Sequence, residues 1–177
     1  MSALLLRAVA PGDAAAIAAI YAPYVAETAI TFELDPPDAA AIGERIATIG
    51  ATHPWLVAER GGELVGYAYG YPYRARAAYR WVAETAVYLR RDMLGKRLGT
   101  PLYEALLDAL EAWGYVAAVG AISLPNRPSV KLHERLGFEP VGVHPRIGFK
   151  HGQWHDIGLW QLDLAPRKAM QAEPGAP

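Results

Sequence analysis

Cysteine is absent from the 177 residues. Disulfides, thiolate metal sites and Cys nucleophiles are excluded together. An excess of one charge is also missing: 17 Lys+Arg stand against 18 Asp+Glu, a formal net charge of −1. Nucleic-acid binders carry a basic patch or stripe, and no basic run occurs here. A membrane helix needs ~20 apolar residues in a row, and the longest apolar stretches are broken by Pro11, Pro23, Gly66 or Arg90. The opening MSALLLRAVAPGD lacks the basic n-region and the apolar length of a signal peptide. What is present is core material, with 53% hydrophobic and 20% charged residues. That length and composition suit one domain. The expectation is a single cytoplasmic domain over 1–165, followed by a frayed tail over 166–177.

Hydrophobic periodicity divides the chain into elements. Leu4 to Val9 reads as a strand stopped by Pro11-Gly12. Asp13 is placed to cap a helix carrying Ile17, Ile20, Tyr21 and Tyr24, and Asp38 to cap a second with Ile42, Ile46 and Ile49. Trp55 to Glu59, Gly61-Gly62 and Leu64 to Gly70 read as a hairpin. An Arg- and Pro-containing loop over 71–80 leads to a strand at 81–89, with Glu84, Ala86 and Tyr88 on one side. Leu102, Leu106, Leu110 and Trp113 mark a long helix ended by Gly114. Val116 to Ile122 suits a strand buried on both faces. Asn126 can cap a short helix stopped by Gly137, and an antiparallel pair turning near Lys150 to Gln153 closes the domain. The order β-α-α-β-β-β-α-β-α-β-β implies an α/β (α+β) fold with a mixed sheet.

Several residues in this frame could carry chemistry. The turn Gly95-Lys96-Arg97-Leu98-Gly99-Thr100 precedes the long helix, and a helix N-terminus offers unpaired N–H groups and a positive dipole end to phosphate. An ordinary tight turn would use the same glycines. Glu84 stands in an otherwise apolar strand, where an unpaired carboxylate costs several kcal/mol to bury. It is either a general base with a raised pKa or the partner of Arg74, Arg76 or Arg80. Arg74 and Arg76 suit bidentate recognition of an anion, or form a solvated basic loop. Phe32 and Tyr79 could line an apolar wall or simply fill the core. His133 sits between Val130 and Leu136 as a half-buried helix histidine. His144, His151, His155 and Asp156 cluster in sequence. On a strand, however, His151 and His155 would stand roughly 13 Å apart, too far for one ion.

The stretches PWLVAERGGELVGYAYGYPYRARAAYRWVAETAVYL, LPNRPSVKLHERLGF and GFKHGQWHDIGLWQLDL, in this order, resemble the GNAT superfamily of N-acetyltransferases. Within it they resemble the phosphinothricin and methionine sulfoximine N-acetyltransferases, over roughly residues 4 to 164. Two positions depart from the superfamily loop pattern: Leu94 replaces an Arg or Gln, and Arg97 replaces a Gly. The resemblance implies a mixed, mostly antiparallel sheet with helices on both faces. It implies acetyl-CoA as co-substrate, no metal, a small-molecule amine acceptor and a homodimer. Glu84 would be the base and His133 a second catalytic residue. Val87, Tyr88, Leu89 and Asn126 would bind pantetheine, and Gly95, Lys96, Arg97, Leu98, Gly99 and Thr100 the pyrophosphate. Phe32, Arg74, Ala75, Arg76, Tyr79, Glu84, Thr85 and Ala86 would contact the substrate. The implied reaction is acetyl transfer to the α-amino group of a glutamate-like small molecule. A non-catalytic acyl-CoA-binding module and a His-ligated metal hydrolase stay open as alternatives.

Overall fold

The computed structural model describes residues 3–167 and 172–177. Its strands and helices follow the expected order: β1 (Leu4–Ala8), α1 (Ala14–Glu27), α2 (Ala39–Ile49), β2 (Trp55–Arg60), β3 (Glu63–Pro72), β4 (Val82–Leu89), α3 (Gly99–Ala112), β5 (Ala117–Leu124), α4 (Arg127–Arg135), β6 (Glu139–Lys150) and β7 (Gln153–Asp163). The strands form one seven-stranded sheet in the order β1-β2-β3-β4-β5-β7-β6. Neighbours are antiparallel except β4 and β5, which run parallel. The connection between these two must cross over the sheet, and α3 makes it.

Helices cover both faces. On one, Ile17, Tyr21, Tyr24, Ile42 and Ile46 of α1 and α2 pack on Trp55, Val57 and Tyr67. On the other, Leu102, Tyr103, Leu106 and Leu110 of α3 pack on Ala58, Val65, Ala68, Ala83 and Ala118. The alanines let α3 lie close to the sheet. Each leucine of its stripe is fully buried, worth roughly 1.5–3 kcal/mol apiece. Pro140 and Pro145 interrupt β6, whose register shifts twice; an edge strand tolerates both features.

The sheet is split where it matters for function. β4 and β5 pair only from Val82↔Ala117 to Glu84↔Val119. Beyond Glu84, β4 stays with β3 as far as Leu89, whereas β5 stays with β7 as far as Leu124. A wedge opens between the two parallel strands, and Glu84 stands at its apex.

Two expectations about ends are corrected. Asp38 caps α2 as anticipated, accepting from Ala41 N–H at 2.8 Å, but Asp13 makes no side-chain cap for α1. Its carboxylate instead takes two bonds from Arg7, at 2.7 and 2.8 Å, and one from Ala10 N–H at 2.7 Å. A charge-assisted fork outbids a neutral N–H. Of the tail expected to fray, residues 168–171 lie outside the described residues, and Ala172 to Gly175 dock on the domain. Trp81 Nε1 donates to Ala172 O at 2.7 Å, Arg80 forks onto Glu173, and Gly175 N–H donates to Trp113 O at 2.8 Å. Among the described residues, no helix is long and apolar enough to cross a membrane.

Candidate active site

Register decides the partner of Glu84. Tyr71 of β3 is directly opposite it on β4, and the Tyr71 hydroxyl donates to Glu84 Oε1 at 2.6 Å. Among the described residues the carboxylate makes no ion pair with Arg74, Arg76 or Arg80. Burial pushes the Glu84 pKa above the usual carboxylate value, while the Tyr71 hydrogen bond and the Arg74 charge oppose the rise. Tyr71 is pushed far above its ordinary value by burial and by the Glu84 charge, so it stays protonated as the donor. The sequence reading puts Tyr71 in the exposed loop over 71–80, but β3 runs on through Pro72, and its pairing with β4 sets Tyr71 opposite Glu84.

Glu84 lines a cavity of about 300 Å³ in the wedge, with Phe32, Ala86, Ser123, Asn126 and His133. Thr85 also borders it, but its hydroxyl turns to the α3 face, meeting Tyr103 OH at 2.6 Å and Val119 O at 3.1 Å. His133 is more buried than expected, at 5% exposure. Its Nδ1–H meets Ser129 O at 2.8 Å, and Nε2 meets Tyr103 OH at 3.0 Å. The Ser129 carbonyl can only accept, which assigns the proton to Nδ1 and makes Nε2 the acceptor. Desolvation lowers the His133 pKa below its ordinary value, so the ring is neutral at pH 7. Tyr103 was not singled out in the sequence, although a hydroxyl inside the apolar stripe of α3 demands a buried partner.

A second cavity, about 380 Å³, continues along the wedge and shares Ile30, Val87, Tyr88, Asn126 and Ser129 with the first. It adds Leu89, Leu94, Gly95, Arg97, Leu98, Gly99 and Thr100. This groove gathers the expected loop residues except Lys96, whose ammonium lies 3.6 Å from Met93 Sδ. Val87 and Leu89 also pack toward α3. The Tyr88 ring lies on the opposite face, stacked 5.4 Å from Tyr67 and edge-on to Tyr21 at 4.9 Å, so only its backbone is free to bind. No side chain caps the first turn of α3, and Pro101 has no N–H to leave unpaired there. This geometry suits an anion at the helix N-terminus with an extended arm along the unpaired edge of β4. Arg97 adopts φ 59° and Gly95 φ 75°. Asn126 Oδ1 caps α4 through Ser129 N–H at 3.2 Å while bordering both cavities.

The expected substrate residues are not all brought together. Phe32 and Ala86 border the Glu84 cavity, but Arg74, Ala75, Arg76 and Tyr79 line another, of about 450 Å³, with His53 and Tyr115. There the Arg74 guanidinium stacks on Tyr73 and Tyr79, 5.0 and 5.6 Å from the ring centroids. The histidines near the chain's end are also dispersed. His151 and His155 each donate to a carbonyl, Thr28 O and Lys150 O. Among the described residues, no group of three His, Asp or Glu is arranged to hold a metal.

Comparison with known proteins agrees with this geometry. Residues 6–159 match the acetyltransferase (GNAT) domain family. The chain is 40% identical over 161 residues to the phosphinothricin N-acetyltransferase of Streptomyces viridochromogenes, covering 90% of this chain and 87% of that one. It is 37% identical over 169 residues to the methionine sulfoximine/methionine sulfone acetyltransferase of Pseudomonas paraeruginosa, covering 93% and 96%. The crystal structure of a Sinorhizobium meliloti phosphinothricin acetyltransferase in complex with acetyl-CoA superimposes with a TM-score of 0.90 at 34% identity, covering 97% and 93%. The matched family and these relatives make this chain, with its wedge between two parallel strands, a member of the GNAT acetyltransferase family, an enzyme whose acetyl donor is acetyl-CoA.

Proposed function

We propose that the enzyme acetylates the α-amino group of a small glutamate-like acid of the phosphinothricin or methionine sulfoximine type. The observation that carries this reading is a half-buried carboxylate, Glu84, at the apex of the wedge, lining the acceptor cavity that adjoins the donor groove. Acetyl-CoA supplies an activated thioester carbonyl. The uncapped turn at 95–100 would hold its pyrophosphate, and the β4 backbone at Val87 to Leu89 with Asn126 its pantetheine arm. Glu84 Oε1 is occupied by Tyr71, so Oε2 would take the ammonium proton and free the amine to attack. The Arg74 charge favours ionised Glu84, and from the neighbouring cavity it would attract the anionic group of an incoming substrate by charge. In this reading Arg76 assists Arg74, Phe32 and Ala86 form the wall, and neutral His133 is an oriented member of that wall.

The test is an amine panel with thiol release as readout, run beside thermal melts. Acetyl-CoA at 100 times its dissociation constant should stabilise the fold by ~2.7 kcal/mol. For a domain of this size the melting temperature rises by roughly 5–10 °C. Thiol release with phosphinothricin or methionine sulfoximine is expected on top. Stabilisation without release for any amine would leave a non-catalytic acyl-CoA-binding module, and no stabilisation would defeat both readings.

Arg97 tests the donor groove. A β-carbon residue at positive φ costs ~1–2 kcal/mol, and the fold already holds Arg97 there. Its charge lies at an exposed loop, where solvent and salt screen it. Arg97→Gly should therefore bind acetyl-CoA equally or more tightly by calorimetry. A tenfold weakening, ~1.4 kcal/mol, would make Arg97 a phosphate ligand instead.

We infer further that two copies associate through β6. This edge strand and its hairpin expose Val141, Val143, Ile147, Phe149 and Trp154, each more than half accessible, and such an apolar face laid against its own copy is self-complementary about a two-fold axis. Sedimentation at micromolar concentration distinguishes a dimer from the 19.2 kDa monomer. The cytoplasm, where acetyl-CoA is plentiful, is the compartment this reading assigns.

A further inference from the structure

Loop 28–33 lies outside the sheet ladder and between the two cavities, yet it supplies Ile30, Thr31 and Phe32 to the acceptor side. Such a loop needs its backbone satisfied from elsewhere. The supply comes from the far end of the chain. Lys150, the last residue of β6, is 3% exposed and donates from Nζ to Val25 O at 2.7 Å and Thr31 O at 2.8 Å. Val25 lies in the last turn of α1, where the negative end of the helix dipole favours a cation. One ammonium thus ties the end of α1 to the middle of the loop.

The same hairpin tip makes three more contacts. A Cβ on Gly148 would fall inside the Phe32 ring, so Phe32 rests directly on the β6 backbone. His151 Nε2 donates to Thr28 O at 3.3 Å. The His155 ring lies 6.0 Å from that of Phe32 and donates from Nε2 to Lys150 O at 3.1 Å. From the other side, Tyr21 OH meets Thr31 Oγ1 at 2.6 Å and Glu33 at 2.9 Å, and Arg45 forks onto Glu33 at 2.7 and 2.8 Å. Gly148 and Lys150 face inward, whereas Ile147 and Phe149 between them face solvent.

We propose that Lys150 is a positioning residue for the acceptor site: with Gly148 it fixes Thr31 and Phe32, and so sets how tightly the amine is held. The proposal rests on the amine-acetylation reading above. Thr31 and Phe32 border only the acceptor cavity, not the donor groove. The effect is therefore selective, which a general loss of folding would not be. A lysine is used because a compact ammonium on a flexible stem can reach two carbonyls at once.

Lys150→Met keeps the stem and removes the donors. The expected result is about a tenfold rise in KM for the amine, with KM for acetyl-CoA within about twofold and kcat within about threefold. Amide exchange at Thr31 and Phe32 should quicken at least about tenfold, since their tether is gone. Gly148→Ala displaces the Phe32 ring while leaving Lys150 intact, and should move the amine KM in the same direction if the first variant does not fold. Equal rises in both KM values, or an unchanged amine KM in either folded variant, would overturn the proposal. So would unchanged exchange at Thr31 and Phe32, whatever the wild type does with amines. A wild type that releases no thiol with any amine would defeat the acetylation reading separately, with the exchange result still standing on its own.

Discussion

Glu84→Gln is expected to cut turnover by ~10²–10⁴-fold while acetyl-CoA binding persists. The amide keeps the shape of the side chain and can still accept from Tyr71 OH, so the cavity stays formed. What it loses is the capacity to take a proton at Oε2. A titrating base must be ionised to act, and burial raises the Glu84 pKa. Wild-type kcat/KM should accordingly fall as pH drops through that raised pKa, an acidic limb that the Gln variant lacks. The deficit of the variant should shrink as pH rises, because more amine arrives already deprotonated. Tyr71→Phe makes the complementary change. Its hydroxyl favours the charged carboxylate, so without it the Glu84 pKa rises further and the acidic limb moves to higher pH. Stopped assays across pH 5 to 9 separate these outcomes. Unchanged turnover of Glu84→Gln near neutral pH would assign the carboxylate a structural role.

The difference between Glu84 and its partner shows how far sequence reading reached. The isolated carboxylate in WVAETAVYL announced itself, because burying charge in an apolar strand needs a reason. Tyr71 did not, since only the register Tyr71↔Glu84 brings the two side chains together. The same division holds elsewhere. The element order, the stripe of α3 and the turn at 95–100 follow from local periodicity and turn chemistry. Asp13 obeyed the local rule for a cap until Arg7, six residues away, claimed it. Arg74 and Arg76 sat beside Glu84 in the chain, yet aromatic stacking holds Arg74 over Tyr73 and Tyr79 in a separate cavity. Lys150 read as a turn residue, and its burial depends on carbonyls more than a hundred residues earlier. Local signals gave the elements; long-range polar pairings, which have no period, completed the site.

One such pairing makes Gly120 intolerant of a side chain. Gly120 lies in β5 opposite Trp160, and a Cβ there would overlap the His133 imidazole at Nε2 and Cδ2. The ring has little room to retreat. Ser129 O and Tyr103 OH hold its two nitrogens, and Tyr103 and Phe138 meet it edge-on, with centroids at 5.2 and 5.0 Å. Gly120→Ala therefore forces either overpacking, at ~1–3 kcal/mol, or a shift that leaves a buried hydrogen-bonding group unpaired, at ~1–3 kcal/mol. Either way a loss of ~1–3 kcal/mol is expected, or a fall of roughly 2–12 °C in melting temperature for a domain of this size. The cause can be isolated. His133→Ala removes the obstructing ring, so adding Gly120→Ala to that background should cost less than about 1 kcal/mol. The two substitutions then couple by more than the ~0.3–0.5 kcal/mol scatter seen for independent sites. Strict additivity in denaturant melts of the four proteins would show that the strand, not the histidine, rejects a side chain at Gly120.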